Sequence, residues 1–488
     1  TLYAKVWKIM VGRIPLYLLD TDISENSQRD RTITHQLYGG DQEHRLKQEL
    51  LLGVGGIRLL EELGIKARIY HCNEGHAAFI GIERLRRYVQ TLKLSFSQAL
   101  EVVRATTLFT THTPVPAGHD AFSEELLRTY IPHYAERLNI SWSDFMNLGR
   151  ISVDNSQEKF SMSILAARLS QEINGVSKIH GNVSREMFRD LYPGYFPQEL
   201  HIDHVTNGVH LPTWAASSIK EIWGKVNDVP DRKIWDIRKK LKGNLVNFLK
   251  ERLREDMTRR QESPNIIIKA IDSLDEGALM IGFARRFATY KRANLIFHNL
   301  DRLAKILNNP EYPVQLVFAG KAHPNDKAGQ DLIKRIIAIS REKEFLGKIF
   351  FIENYDMEVG RMLVQGVDVW LNTPTRPLEA SGTSGQKAAL NGVMNFSVLD
   401  GWWAEGYVHG GGWAIEETRT YDNQEFQDEL DAETIYNMIE DDILPLYYIK
   451  NDKGIPVDWV NYIRKDISEI APQFTMSLSL IHIYEPTR

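Results

Sequence analysis

Among its 488 residues the chain has one cysteine, Cys72. A lone thiol excludes an intrachain disulfide and a zinc cluster built from several cysteines, and it fits a reducing compartment. Long apolar runs are scarce as well. None approaches the ~18 residues that a membrane helix needs, and the opening TLYAKVWKIM lacks the apolar core and cleavage site of a signal peptide. A cytoplasmic protein without a membrane partner is the expectation. Neither sign of charge dominates, since 59 Lys plus Arg stand against 64 Asp plus Glu for a net −5, and no basic stripe offers itself to nucleic acid. Internal repeats and low-complexity linkers are lacking too. What is present, 43% hydrophobic, 10% aromatic and 25% charged residues, suffices for a large folded core.

Short apolar runs alternate with helical periodicity. ARIYHC, TLFTTHT, HVTNGV, ALMIGFAR, VQLVFAG, KIFFIEN and DVWLNTP read as strands, and DKAGQDLIKRIIAISREKEF as a helix between two of them. This repetition predicts an α/β protein with parallel sheets covered on both faces. The cluster after residue 276 reads as one doubly wound sheet and the strands before residue 120 as part of another, with a long helical stretch over roughly 121–260 between them. Asn and Gly breakers in NGVSKIHGN place the boundary at 178/179. The expected domains are 1–178, incomplete at its start because strand-like residues open the chain without a cap or turn, and 179–476. SLSLIHIYEPTR changes character abruptly, so 477–488 is expected to be a non-native tail.

Ligands bind beyond the carboxyl ends of parallel strands, so the informative residues are those just after each apolar run. In PTRPLEASGTSGQKAALNGVMNFSVLDGWW, residues 374–403, a Gly, Ser and Thr loop opens a helix with Lys387 in its first turn. Free backbone amides at such a helix start suit a phosphate, although no GK[ST] ending of a nucleotide-hydrolase loop is present. A glycine-rich turn with a solvated lysine is the bland alternative. In GFARRFATYKRANL, Arg285, Arg286, Lys291 and Arg292 place four cations within eight residues, which favours an anion that gathers them over a solvated basic face. HCNEGH and TTHTPVPAGHD each come after a strand; His71, Glu74 and His76 lack HExxH spacing and a third ligand, so no metal is expected, and His112 at a strand end suits positioning, with Pro114 and Pro116 stiffening the loop. GVGGIR at 53–58 carries Arg58 where a dinucleotide loop needs its third glycine, and a helical pattern precedes it. For Asn207 and Gly208 in HVTNGVHLPTW, a structural turn and a substrate contact are equally open.

Taken together HCNEGHAAF, TTHTPVPAGHD, INGVSKIHGNVSREM, HVTNGVHLPTW, ARRFATYKR, FAGKAHPND and EASGTSGQKAALNGVMNFSVLDGWW resemble the α-glucan phosphorylases, the glycogen, starch and maltodextrin phosphorylase family, and most closely its shorter bacterial type, over about residues 1–476. The resemblance implies two Rossmann-like domains facing across a deep cleft, as in GT-B glycosyltransferases, the first binding glucan and the second pyridoxal 5′-phosphate. It implies that Lys387 carries the cofactor covalently, that Thr383, neighbouring amides and Arg285 hold its phosphate, and that Ser384 and Tyr355 also bind the cofactor. Arg286 and Lys291 would take the substrate phosphate. His112, through its carbonyl, and Asn174 would contact the glucosyl 6-hydroxyl, and Glu379, Ser381 and Gly382 the 3-hydroxyl region. The implied reaction is reversible phosphorolysis of a terminal α-1,4-linked glucose to α-glucose 1-phosphate with retention, and the implied assembly is a homodimer.

Some positions depart from the family pattern. The glycine-rich loop that the family closes over the substrate phosphate is not found, so the chain reads as truncated at its start; Gln386 stands where Met is common before the cofactor lysine, and Asp356 where longer members have an arginine. No regulatory N-terminal region is recognisable, which predicts no nucleotide or phosphorylation control. Three other functions compete on the residues. A sugar-nucleotide glycosyltransferase such as a glycogen synthase also uses a basic pair and a carboxylate, but has no need of Lys387. Aminotransferase-type chemistry does not call for Arg286 with Lys291. A catalytically silent fragment that still binds glucan is the third, with Trp402 and Trp403 either stacking on sugar or filling the core.

Overall fold

A computed structural model describes residues 1–37, 39–115, 118–153, 155–415 and 421–477. The expected tail, apart from Ser477, and Pro116 lie outside the described residues. The chain divides into two compact units, Thr1–Val176 with His180–His204, and Ser177–Ile179 with Val205 onward. Among the described residues no helix is long and apolar enough to cross a membrane.

The first unit opens with an antiparallel hairpin of β1 (Lys5–Val11) and β2 (Ile14–Asp20). Its sheet is four parallel strands in the order β3 (Tyr70–Asn73), β4 (Thr107–Thr110), β7 (Glu172–Gly175) and β8 (Ile202–His204), and β5 (Ala121–Phe122) pairs with β6 (Phe160–Ser161) beside it. Among the described residues the stretch 121–260, expected to be helical, therefore holds four short strands. Two to four residues are too few for a period-2 signal. The division also falls later than 178/179: the helix Lys178–Met187 returns the chain to β8, which pairs with β7 and keeps 180–204 with the first sheet. Residues 177–179 go with the second unit because Ser177 Oγ donates to the Ala380 carbonyl at 2.5 Å and the Lys178 amide to Glu405 at 2.8 Å. GVGGIR is helical, with Gly53 packed so closely on Phe79 that a Cβ would sit 2.6 Å from it. Gly53 there serves helix contact, whereas a Cβ at Gly56 would meet open space.

The second unit carries six parallel strands, β9 (Leu279–Ala284), β10 (Val314–Ala319), β11 (Ile349–Ile352), β12 (Val369–Asn372), β13 (Met394–Val398) and β14 (Gly412–Ile415), in the order β11-β10-β9-β12-β13-β14. Every residue of these strands is buried, as a parallel sheet covered on both faces requires. The order runs outward in both directions from the β9/β12 pair, the doubly wound arrangement with its switch point there. The helix expected from DKAGQDLIKRIIAISREKEF spans Lys327–Ser340, with Asp326 accepting the Gly329 amide at its N-cap. Trp402 and Trp403 are 2% and 1% exposed in the core beside Phe474, so both fill the interior.

Candidate active site

The switch point fixes what sits at the end of β9 and β12. β9 delivers Arg285 and Arg286, and β12 runs through Asn372 and Thr373 into the loop that carries Glu379. One carboxylate oxygen of Glu379 receives Nη2 of Arg285 at 2.9 Å and Nζ of Lys291 at 2.5 Å. Burial works to raise the Glu379 carboxyl, but these two cations outweigh it and hold its pKa below the ordinary carboxylate value. Burial and the neighbouring Arg285 push Lys291 the other way, down to about 7, although Glu379 opposes this. Nε and Nη1 of Arg285 are buried with no hydrogen-bond partner among the described residues. Two unmet guanidinium donors beside a lysine near neutrality make a place prepared for an anion.

The four expected cations do not act together. Arg292 turns away: Nε and Nη2 donate to the Thr373 and Pro374 carbonyls, and Nη1 pairs with Asp428 and Asp431. It ties the β12 loop to the helix Gln424–Met438 and has a structural role. Arg286 is exposed and lies against Tyr290.

The loop after Glu379 is shaped by close approaches. The Glu379 amide donates to Asp400 at 2.9 Å, and the Trp402 amide to the Ser381 carbonyl at 2.9 Å. Gly401 has φ +54, and a Cβ there would lie 2.2 Å from the Ser381 carbonyl oxygen, so only glycine fits. Ser381 Oγ donates to the Gly382 carbonyl, and Gly382 has φ +71. Thr383 begins the helix Ser384–Ala389 without capping it, which leaves its hydroxyl available to a ligand; the Ser384 hydroxyl instead accepts the Trp370 indole at 3.1 Å. Lys387 has no carboxylate partner among the described residues; its Nζ lies 3.9 Å from the ring centroid of Trp214, and burial alone lowers its pKa. Tyr355 packs over Gly360, and Asp356 caps the helix Met357–Gly366 by accepting the Val359 amide at 2.9 Å.

Pyridoxal 5′-phosphate fits what is present. An aldehyde needs an amine without an ion-pair partner, which Lys387 provides, and a phosphate needs unmet donors, which Arg285 and Thr383 provide. Among the described residues no group of three His, Cys, Asp or Glu side chains could hold a metal ion.

The first unit brings its own residues to the carboxyl ends of β3, β4 and β7. The Thr110 hydroxyl donates to Asn174 Oδ1 at 2.7 Å, so the contact at 2.7 Å between Thr110 Oγ1 and His71 Nε2 has the imidazole as donor. His112 sits beyond β4; its ring meets Asn73, and burial with His76 and His71 pushes its pKa down to about 4. A neutral imidazole at pH 7 suits positioning. Glu74, at φ +73, accepts the amides of Gly75 and His112 at 3.0 and 2.8 Å, and burial raises its carboxyl to about 7. On sequence Glu74 stands out only as a metal candidate, and Asp400 and Trp214 only as members of longer motifs; nothing in spacing signals that HLPTW meets the Lys387 helix.

A doubly wound sheet whose switch point gathers cations around one carboxylate defines an α/β protein built to handle an anionic ligand. Comparison with known proteins narrows this class: residues 23–405 match the carbohydrate phosphorylase family, to which the chain belongs. It is 44% identical to the maltodextrin phosphorylase of Thermococcus litoralis over 97% of this chain and 57% of that protein. It is 40% identical to the glycogen phosphorylase of Mycobacterium tuberculosis (98% of this chain, 58% of that one) and 39% to that of Aquifex aeolicus (97% and 70%). The chain thus spans little more than half the length of the first two relatives.

Proposed function

We propose that the chain carries the chemistry of an α-1,4-glucan phosphorylase, moving a terminal glucosyl unit of glycogen or maltodextrin to inorganic phosphate to give α-glucose 1-phosphate with retention. The observation that carries this reading is the pairing of Arg285 and Lys291 on one oxygen of Glu379, with two further Arg285 donors unmet. A phosphate dianion entering there finds more positive charge than Glu379 alone neutralises. Arg286 and Lys291 hold the substrate phosphate in this reading. Its hydroxyl protonates the glycosidic oxygen as that bond breaks, and its remaining negative charge stabilises the oxocarbenium-like ring.

Lys387 would hold pyridoxal 5′-phosphate covalently, with Thr383 and Arg285 about its phosphate and Ser384 and Tyr355 also binding the cofactor. When bound, that group supplies a second phosphate as a proton partner. Glu379, Ser381 and Gly382 face the 3-hydroxyl region of the sugar. In the first unit, His112 through its carbonyl and Asn174, fixed by Thr110, are the candidates for the glucosyl 6-hydroxyl. The reading includes a homodimer, testable by sedimentation, and a cytoplasmic setting, testable by fractionation.

The experiment is phosphate-dependent release of glucose 1-phosphate from maltoheptaose by the cofactor-treated chain, with Lys387→Ala alongside. Release lost in the variant supports the reading; equal release from both, or transfer from a sugar nucleotide without phosphate, overturns it.

A further inference from the structure

Lys387 and Trp214 are far apart in the sequence, yet one buried side chain locks them together. Asn391 is fully buried, and every polar group it has is used. Nδ2 donates to the Lys387 carbonyl at 2.9 Å and to the Trp214 carbonyl at 3.0 Å, while Oδ1 accepts the Ala216 amide at 2.8 Å. Gln365 Nε2 donates to the same Trp214 carbonyl at 3.1 Å. Beside Lys387, Gln386 Nε2 donates to the Asn207 carbonyl at 2.6 Å. Gln386 and Asn391 therefore fix the segment Asn207–Ala216 against the short helix that bears the lysine, and Gln365 ties the same segment to the helix Met357–Gly366.

The consequence of that fixation is a contact between charge and ring. The ε-ammonium of Lys387 stands 3.9 Å from the Trp214 centroid, within the range where an indole face attracts a cation. A lysine side chain has four rotatable bonds, and holding it at one place costs entropy that something must offset. Here the indole does so without a counter-charge. A carboxylate in its place would tie the proton to the amine more tightly.

We propose that Trp214, clamped by Asn391, is a positioning residue for Lys387: its ring face parks the ε-ammonium at a fixed point, yet leaves the amine free to shed its proton when an aldehyde arrives. The proposal rests on the reading of Lys387 as the cofactor lysine, though the parking contact is measurable without cofactor. An indole is the strongest cation acceptor of the aromatic side chains, phenylalanine is weaker and leucine has no ring. Loss of the ring in a site that stays apolar favours the neutral amine.

The test is competitive acetylation of the cofactor-free chain with acetic anhydride from pH 6 to 10, following the Lys387 peptide by mass spectrometry in wild type, Trp214→Phe and Trp214→Leu. The labelling midpoint is expected to fall from wild type to W214F to W214L, by about half a pH unit in all. W214F, the milder change, keeps the comparison available if W214L does not fold. A midpoint that stays or rises in both variants overturns the proposal, because a ring that only fills space would, once removed, hydrate the amine. Reduction with borohydride after incubation with pyridoxal 5′-phosphate is run in parallel on wild type. If Lys387 takes no tag while its midpoint shifts as expected, Trp214 holds the amine and the cofactor reading fails. With a tag and no shift, the cofactor reading stands and this proposal fails.

Discussion

Lys291 Nζ lies 2.5 Å from the Glu379 oxygen that also takes Nη2 of Arg285 at 2.9 Å, so one buried carboxylate balances two cations. Removing that carboxylate leaves Arg285 buried without its counter-charge and pushes Lys291 further toward its neutral form. Glu379→Gln is expected to cost about 3 kcal/mol of stability, the scale for breaking a buried ion pair from one side. Inorganic phosphate should restore much of this by supplying the missing negative charge. Urea melts with and without phosphate check it: the stabilisation by phosphate is expected to be larger in E379Q than in wild type, and equal increments would sink the account.

Lys291 supplies a second test, because burial and Arg285 bring it down to about 7. A bound anion favours its charged form and raises that value, so near pH 7.5 binding draws a proton from solution. Calorimetry of phosphate binding in two buffers of different ionisation enthalpy should show proton uptake by Lys291, offset in part by the proton that the monoanionic fraction of phosphate releases. Lys291→Arg keeps the charge at every such pH and is expected to leave only the release from phosphate, shifting the net exchange toward release while retaining binding.

How much of this is legible in the sequence differs by residue. The strands of the second sheet from Leu279 to Asn372 stand out because each is mostly apolar, with Gln315 the one polar residue inside a run, the signature of burial on both faces. β13, inside MNFSV, and β14, GWAI, are hidden because polar Asn395 and Ser397 interrupt one and glycines surround the other. Asn395 is fully buried and donates to the Gly385 carbonyl at 3.0 Å, a tertiary demand invisible to local patterning. At the site, clustering reveals that Arg285, Arg286, Lys291 and Arg292 need explanation, but not that Arg292 serves Asp428 and Asp431 on a helix more than a hundred residues later. Lys387 is conspicuous in its glycine-rich loop. Its ring partner Trp214 is not, since cation and indole meet only through folding.

Asp466 offers a test of stability away from the chemistry. It is fully buried at the start of the irregular helical turn Asp466–Ile470, both carboxylate oxygens lack hydrogen-bond partners among the described residues, and burial raises its pKa well above the ordinary value despite Arg238. A carboxyl with a raised folded pKa contributes stability that is fully present below its unfolded value near 4 and is lost as pH climbs through the folded value. Asp466→Asn removes the titration. It is expected to be more stable than wild type by about 2 kcal/mol at pH 8, and the gap should close as pH falls toward 4. Denaturant melts at pH 4.5 and 8 check this; a gap independent of pH would mean that Asp466 does not titrate in this window.

Asp356 occupies the position where the longer phosphorylases resembled by this chain carry an arginine, and its geometry assigns it a local task. Its Oδ1 accepts the Val359 amide at 2.9 Å as N-cap of Met357–Gly366, and Arg252 is 4.0 Å from its other oxygen. A helix end without a side-chain acceptor leaves an amide unpaired, and an Asp-to-Ala change at such a cap costs about 1 kcal/mol. Asp356→Ala is therefore expected to lose about that much, while Asp356→Ser, which keeps an acceptor, loses only a few tenths. The phosphate-induced stabilisation should be the same in both variants as in wild type, since the cap binds no anion. Thermal and urea melts across a phosphate series decide it: a changed phosphate increment in Asp356→Ala would show that this carboxylate acts on the anion site and does more than end a helix.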